Sequence, residues 1–151
     1  MQFSGKYLIK AHRDEVWRAL NDADILKETI PGCKKIAWIN DNELELEILI
    51  NLGLINPKFA GGLELKNVVA AQKYTLSGYG KGAILGHAHG EADIELSDFE
   101  GGTILSFNAK GGGSNALMKL GKKIIGKSAQ KIIDRFFERF AKAMGAEIKA
   151  L

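Results

Sequence analysis

Residues 114–148 read SNALMKLGKKIIGKSAQKIIDRFFERFAKAMGAEI and carry a helical pattern over nearly their whole length. Apolar residues recur at steps of three and four, which places them on one stripe of a helix, and charged residues fill the opposite face. No proline interrupts the run, and Ser114 or Asn115 can cap its first turn. We therefore predict one long C-terminal helix over 114–148, and its wide apolar stripe needs a broad apolar partner surface.

The remainder of the chain reads mainly as strands that supply this partner. Residues 3–11 alternate between apolar and polar side chains, which predicts a half-buried strand. Two short helices follow, the second over residues 25–30, and residues 33–113 carry the pattern of about six further strands separated by turns. This order predicts an α+β domain in which a curved antiparallel sheet of about seven strands packs around the long helix.

Composition and charge limit the class of protein. With 151 residues, 46% of them hydrophobic and 26% charged, one globular domain over 1–151 is expected. A net charge of +3 is too small to indicate nucleic-acid binding by itself. The single cysteine, Cys33, excludes an internal disulfide and fits a reducing compartment. No signal-peptide pattern and no membrane-spanning apolar run is visible, so we expect a cytoplasmic protein.

The strand faces predicted to look at the helix mix large side chains with very small ones, namely Gly5, Gly61, Gly78, Ala88, Gly90, Ala92 and Ala109. Small residues opposite a helix rich in phenylalanine leave room for a cavity, but they also serve as bends that curve a sheet. A cavity here is apolar and takes a lipid-like or aromatic small molecule. Its predicted lining is Leu117, Leu120, Ile124, Phe136, Phe137 and Phe140 from the helix, and Leu46, Ile48, Phe59, Leu63, Tyr74, Leu76, Gly90, Ala92, Ile94 and Phe107 from the sheet.

Candidates for catalysis or metal binding are few. His87, His89 and Glu91 share one strand face at a spacing that suits metal ligands. Their parity is also that of Asp93, on the face predicted to meet solvent, so ordinary surface residues are the favoured interpretation. The chain contains no motif for a nucleophile, a zinc site or a phosphate-binding loop. We therefore expect no catalytic residue and no bound metal.

The first half of the C-terminal helix is basic, with no acidic residue before Asp134. Lysines near a helix N-terminus oppose the helix dipole, so helix stability does not explain them. A patch that meets anionic lipid headgroups or an acidic partner protein is one interpretation, and a solvated helix face is the other. The lysines of this patch are Lys119, Lys122, Lys123, Lys127 and Lys131.

Two segments near the N-terminus, residues 16–22 (VWRALND) and 30–33 (IPGC), resemble the opening of the CoxG family of carbon monoxide dehydrogenase subunits. Residues 86–96, the pair Gly102-Thr103 and the pair Phe136-Phe137 are similar to the middle and end of the same family. The family belongs to the START and Bet v 1-like (SRPBCC) superfamily. The resemblance covers essentially the whole chain and implies a helix-grip fold with a hydrophobic cavity between sheet and helix.

The same resemblance implies an accessory role beside molybdenum dehydrogenases of the carbon monoxide dehydrogenase type. Family members are associated with recruiting such enzymes to the membrane and with binding a quinone that takes up the electrons. We therefore expect a non-enzymatic protein without a covalent cofactor that binds a menaquinone- or ubiquinone-like ligand. Many members carry an apolar tail after the helix; because this chain ends at Leu151, we expect peripheral contact with an anionic membrane, at the inner face of the cell membrane.

Two alternatives remain open at this stage. The first is an assembly or docking protein for the dehydrogenase, with a filled core and no ligand. The second is an enzyme of the polyketide cyclase or aromatase type, because that chemistry occurs on the same fold. Tyr7 and Tyr74 are the only obvious polar side chains on the predicted inner faces, so a cyclase would have little acid-base chemistry to use.

Overall fold

The computed structural model describes all residues from Met1 to Leu151, and it consists of one antiparallel sheet, two short helices, a four-residue helix and one long helix. The predicted α+β class and the helix-grip arrangement are confirmed. The elements are β1 (Gln2–Ile9), α1 (Arg13–Leu20), α2 (Ala23–Thr29), β2 (Cys33–Asn40), β3 (Glu43–Leu49), β4 (Lys58–Val69), β5 (Lys73–Gly82), β6 (Gly86–Phe99), β7 (Gly102–Gly113), α3 (Asn115–Met118), α4 (Lys122–Met144) and β8 (Ile148–Ala150).

The sheet has the strand order β2-β3-β4-β5-β6-β7-β1-β8, and all neighbouring strands are antiparallel. Strands β2 to β7 form a meander, and β1 pairs with β7 so that the N-terminus lies inside the sheet. Along β6 the odd-numbered residues from His87 to Glu95 are exposed and the even-numbered ones from Ala88 to Ile94 are half-buried. The period-two pattern of the sequence therefore identified the inner face correctly.

The main core lies where α4 crosses the sheet beside α1. Phe140 of α4 is fully buried together with Ile9 of β1, Val16 of α1 and Leu105 of β7. Burial of this kind contributes roughly 1.5–3 kcal/mol for each large side chain. The helix is therefore held to the sheet by its C-terminal half.

The predicted single helix over 114–148 was wrong at both ends. The Ser114 hydroxyl accepts the N–H of Leu117 at 3.2 Å and caps the short helix α3, which ends at Met118. Gly121 then takes a φ of +92°, which is outside the helical region, and α4 begins one residue later. At the other end Gly145 adopts the left-handed conformation that commonly terminates helices.

The last residues of the predicted helix form strand β8 instead. Ile148 pairs with Ile9 and Ala150 pairs with Tyr7, so β8 covers the free edge of β1. The sheet consequently has eight strands rather than about seven. A three-residue strand is too short to show a period of two, and its apolar positions also continued the helical pattern.

Helix α2 starts earlier than the predicted residue 25. The carboxylate of Asp22 accepts the backbone N–H groups of Asp24 at 2.9 Å and of Ile25 at 3.3 Å. An acidic N-cap of this type satisfies donors that the first helical turn leaves free. None of the four helices has the length and apolar character needed to cross a membrane.

Candidate ligand-binding cavity

An apolar cavity of about 360 Å³ lies between the inner face of the sheet, helix α2 and helix α4. Small-molecule sites typically measure about 300–1,000 Å³, so a compact ring system fits this space. Nineteen of its 21 lining residues are hydrophobic. The lining comprises Leu20, Asn21, Leu26, Ile30, Pro31, Leu44, Leu46, Ile48, Leu63, Leu65, Tyr74, Leu76, Ala92, Ile94, Leu105, Phe107, Ala109, Ile132, Ile133, Phe136 and Phe137.

Two further spaces adjoin this main cavity. The middle one, about 290 Å³, shares Leu63 and Ala92 with the main cavity and is lined by the sheet alone. The last one, about 190 Å³, shares Phe3 and Gly111 with the middle one and lies beside α3 and α4. Because neighbouring spaces share walls, the three form a row that offers room for an elongated molecule.

Larger concavities lie on the outer face of the sheet, but they differ in character. One measures about 440 Å³ and has Glu91, Asp93 and Lys110 in its wall. The other measures about 690 Å³ and includes Lys35 and Glu47. Ligand sites are predominantly apolar and enclosed by several elements, so the smaller inner cavity is the better candidate despite its size.

Ten of the sixteen side chains predicted to line a cavity are brought together around the main one. They come from five strands of the meander, β3 to β7, and from the middle of α4, so the parity of the strands located this surface. These residues are Leu46, Ile48, Leu63, Tyr74, Leu76, Ala92, Ile94, Phe107, Phe136 and Phe137.

The structure places the other six predicted residues elsewhere. Phe140 is packed into the solid core, and Ile124 is 44% exposed on α4. Gly90 borders the middle space. Phe59, Leu117 and Leu120 belong to a second, smaller hydrophobic cluster near α3, and the first two also border the last space of the row.

The contribution of the two short helices was not predicted from the sequence. Asn21 follows α1, Leu26 belongs to α2, and Ile30 and Pro31 lie between α2 and β2, where they close one end of the main cavity. The apolar residues of α2 indicated that this helix packs against another element, but the predicted fold gave them no partner. The sequence pattern predicted Ile30 only as the end of the second short helix, and Pro31 was singled out only by the family resemblance.

Tyr74 is the main polar group of the cavity. Its side chain is buried, with 6% relative exposure, yet its hydroxyl makes no hydrogen bond within the chain. Burial also raises the pKa of the Tyr74 phenol, because the charged phenolate is poorly solvated there. A neutral, unpartnered hydroxyl in an apolar wall is a hydrogen-bond donor available to a ligand.

Asn21 is the second polar residue of the wall, and its position is fixed by two hydrogen bonds. Its side-chain Nδ2 donates to the backbone carbonyl of Trp17 at 2.9 Å, and its backbone carbonyl accepts from Trp38 Nε1 at 3.2 Å. The side-chain Oδ1 of Asn21 is left as an acceptor. Tyr74 and Asn21 are therefore the two lining residues whose side chains carry hydrogen-bonding groups, in an otherwise apolar wall.

Tyr7, the other predicted polar side chain, does not line the main cavity. Its ring stacks on that of Phe137 with centroids 3.9 Å apart. Burial raises the pKa of Tyr7, and the nearby Asp134 carboxylate adds to the effect. Tyr7 thus serves the contact between β1 and α4.

The small inner-face residues have mixed roles. A Cβ on Gly5 would lie 2.8 Å from the ring of Phe107, so Gly5 makes room for that ring. At Gly61 a Cβ would collide with the carbonyl oxygen of Tyr79, so close packing of strands requires glycine. By contrast, Ala92 borders open space. Some of these small residues are therefore needed for close packing within the fold, and others leave room for the cavity.

The histidine pair lies away from the main cavity, and His89 borders the last space of the row. His87 and His89 are exposed on the outer face of β6, with ring centroids 6.4 Å apart, and Glu91 is exposed on the same face. Cys33, at the start of β2, is half-buried, and burial raises the pKa of its thiol. All five lysines of the predicted basic patch are exposed, and none of them takes part in an ion pair.

The elements that build this cavity are those of a known protein family. The CoxG family profile, which describes a subunit of carbon monoxide dehydrogenase, matches residues 5–145. The chain belongs to the CoxG family. The match covers both short helices, the meander and all of α4, so the resemblance seen in the sequence is confirmed. No curated protein matches the sequence.

Solved structures similar to this CoxG-family chain share its fold. A conserved protein from Geobacillus kaustophilus has a TM-score of 0.88 at 22% identity, covering 98% of this chain and 99% of that one. Ara h 8.0201 has a TM-score of 0.68 at 13% identity, with 95% and 97% covered. Zhui aromatase/cyclase from a Streptomyces species has a TM-score of 0.67 at 9% identity, with 96% and 93% covered. Identities this low establish the fold alone.

Proposed function

We propose that this CoxG-family protein is a non-enzymatic carrier of an isoprenoid quinone or a similar lipid with a carbonyl-bearing ring. In this proposal it serves as an accessory to a molybdenum dehydrogenase of the carbon monoxide dehydrogenase type, to which the family name points. The observation that carries the proposal is an apolar cavity lined by Tyr74, a buried residue whose hydroxyl has no hydrogen-bond partner within the chain.

The chemistry of the cavity favours a ligand with one polar end. Burial of apolar surface contributes roughly 25 cal/mol per Å² and supplies most of the affinity. A carbonyl on the ring of the ligand then accepts a hydrogen bond from the hydroxyl of Tyr74. This bond satisfies a donor that has no partner within the chain. In this proposal an isoprenoid tail extends into the two smaller spaces of the row.

A carrier is favoured over a cyclase by the side chains of the main cavity. Its wall contains no carboxylate, histidine, lysine or cysteine. General acid-base catalysis needs a titratable group with a pKa near the working pH, within hydrogen-bond reach of the substrate. The raised pKa of Tyr74 leaves it a neutral donor, which suits binding rather than proton transfer.

Titration with a soluble quinone analogue tests the proposal. Quinones quench indole fluorescence, and the ring of Trp17 is in edge contact with Tyr74 in the cavity wall. We expect saturable quenching together with an increase in thermal stability, since a ligand that binds only the folded state stabilises it. Ala92→Phe should abolish both effects, because its ring fills the cavity.

Glu95→Phe is the matched control. It adds the same ring three residues away in β6 but on the exposed outer face and outside all three spaces, so the analogue should bind it as it binds the wild type. Circular dichroism of both variants verifies that they fold. Equal binding by Ala92→Phe and the wild type would overturn the assignment of this cavity.

A further inference from the structure

Three chain segments meet at one end of the molecule, which we call the loop end: the β3–β4 connection (residues 50–57), the β5–β6 turn (83–85) and residues 114–124 of α3 and early α4. Each presents a large apolar side chain to solvent. Leu54 is fully exposed, Ile84 is 70% exposed and Ile124 is 44% exposed. Side chains of this kind are costly to leave in water, and a group of them marks an interaction surface.

The exposed residues stand on a packed base. Directly behind them, Leu52, Leu85 and Leu117, one from each segment, are buried in a common cluster with Phe59. The backbone N–H of Leu52 also donates to the carbonyl of Ile55 at 3.0 Å, which closes the tip of the β3–β4 connection. The apolar tips are therefore held in place by the fold.

The charge of the loop end has a single sign. Residues 48–63, 65–90 and 101–133, which include all three segments, contain no aspartate or glutamate. The nearest carboxylate on β3 is Glu47, and it already pairs with Lys58 at 3.2 Å and Lys35 at 3.8 Å. Exposed lysines without an ion-pair partner surround the tips, namely Lys81, Lys119, Lys122, Lys123 and Lys127.

The opposite end of the sheet provides an internal comparison. It also exposes apolar side chains, Val68 and Phe99, at the β4–β5 and β6–β7 turns. There, however, Asp98 and Glu100 flank Phe99, and Asp41 lies in the β2–β3 turn. Exposed apolar groups occur at both ends, but only the loop end combines them with an unopposed positive charge.

We propose that the loop end docks on the surface of an anionic lipid bilayer. Leu54, Ile84 and Ile124 enter the boundary between headgroups and acyl chains, and the lysines around them pair with lipid phosphates. Apolar insertion and electrostatic attraction are the two contributions that hold proteins at such an interface. This surface is separate from the main cavity, so the docking does not depend on the identity of the cavity ligand.

Co-sedimentation of the purified protein with protein-free vesicles tests the docking. We expect binding to vesicles of phosphatidylcholine mixed with phosphatidylglycerol and weak or no binding to phosphatidylcholine alone. Raising the salt concentration should weaken binding, because mobile ions screen exposed charges. Failure to bind the phosphatidylglycerol vesicles would overturn the proposal and would favour an acidic protein as the partner of the lysines.

Paired variants locate the surface. Changing Lys119, Lys122 and Lys123 together to Gln should lower the partition coefficient at least about tenfold, as should Leu54→Ser combined with Ile84→Ser. The matched controls are the triple change of Lys66, Lys73 and Lys149 to Gln and the double change Val68→Ser with Phe99→Ser. Equal losses in test and control variants would contradict docking through the loop end. Ala92→Phe should lose the quinone but retain vesicle binding, so the two proposals can fail separately.

Discussion

The indole of Trp17 meets the phenol ring of Tyr74 edge-on, with ring centroids 5.2 Å apart and an angle of 87° between the planes. This arrangement joins α1 to β5 at the wall of the main cavity, and it is a favourable geometry for an aromatic pair. The side-chain Nδ2 of Asn21 donates to the backbone carbonyl of Trp17 at 2.9 Å, and the backbone carbonyl of Asn21 accepts from Nε1 of Trp38 in β2. The orientation of Tyr74 is therefore set by the fold before any ligand binds.

The first prediction concerns the hydroxyl of Tyr74. Tyr74→Phe keeps the ring and its contact with Trp17 but removes the donor that we assign to a ligand carbonyl. Affinity for a quinone analogue should fall by about fivefold, the value of one net hydrogen bond of about 1 kcal/mol. Stability without ligand should be unchanged or slightly higher, because the hydroxyl has no partner to lose. Fluorescence titration and urea unfolding measure the two effects. Unchanged affinity would rule out Tyr74 as the donor.

A second prediction follows from the raised pKa of Tyr74. The unfolded chain releases this proton near the ordinary value of 10.0, whereas the buried phenol retains it to higher pH. The contribution to stability is complete below about pH 10 and is lost as the pH rises through the pKa of the folded state. The free energy of unfolding should therefore fall less steeply between about pH 9 and pH 11 in Tyr74→Phe than in the wild type.

Urea unfolding at several pH values measures this difference. Part of the pH dependence should persist in Tyr74→Phe, because burial and Asp134 also raise the pKa of Tyr7. Lysine deprotonation affects both proteins alike and cancels in the comparison. Superimposable pH profiles for the two proteins would contradict the burial of the Tyr74 phenol.

The third prediction separates core from cavity on α4. Phe140 is fully buried, whereas Phe136, one turn earlier, lines the cavity, and their rings stack at 5.5 Å between centroids. Phe140→Ala should cost about 3–5 kcal/mol of unfolding free energy, the usual range for a buried phenylalanine. Phe136→Ala should cost about half as much and should weaken quinone binding. The reverse order of stabilities, measured by urea unfolding, would show that the helix is rotated from its position here.

The fourth prediction concerns the length of the ligand. A Cβ on Gly90 would lie 3.3 Å from the carbonyl oxygen of Lys110 and 4.0 Å from the Cα of Gly111, so Gly90→Val needs a shift of a few tenths of an ångström. Its side chain narrows the middle space between the main cavity and α3. Quinone analogues without a tail should bind the variant as they bind the wild type, and analogues with several isoprenoid units should bind more weakly. Equal binding of the long analogues would show that the tail follows another path.

The fold could be predicted from the sequence because two periodicities carry it. Alternation in the strands identified the inner face of the sheet, and three- and four-residue steps identified α4. The break in the helix at Gly121 was not predicted, because glycine interrupts a helix only when it takes a conformation such as φ +92°. The spacing of apolar residues does not reveal that conformation. Strand β8 escaped because its pairing with β1 is a contact between the two ends of the chain.

The cavity could be predicted only in part, since its location depends on three-dimensional closure. Ala92 and Phe107 were identified because their strands face the helix along their whole length. Phe140 and Ile124 are sixteen residues apart, which places them about 160° apart around α4, so Phe140 is covered by α1 and β1 whereas Ile124 is exposed. The contribution of Leu26 depends on α2 folding across the end of the sheet, which no local pattern encodes.

The decisive measurement is native mass spectrometry of the protein purified without detergent, followed by solvent extraction and identification of the bound molecules. We expect a stoichiometric isoprenoid quinone or related lipid on the wild type and on Glu95→Phe, and none on Ala92→Phe. An empty wild-type protein that also ignores added quinones would contradict the carrier function and would leave a docking or assembly role for the dehydrogenase as the better explanation.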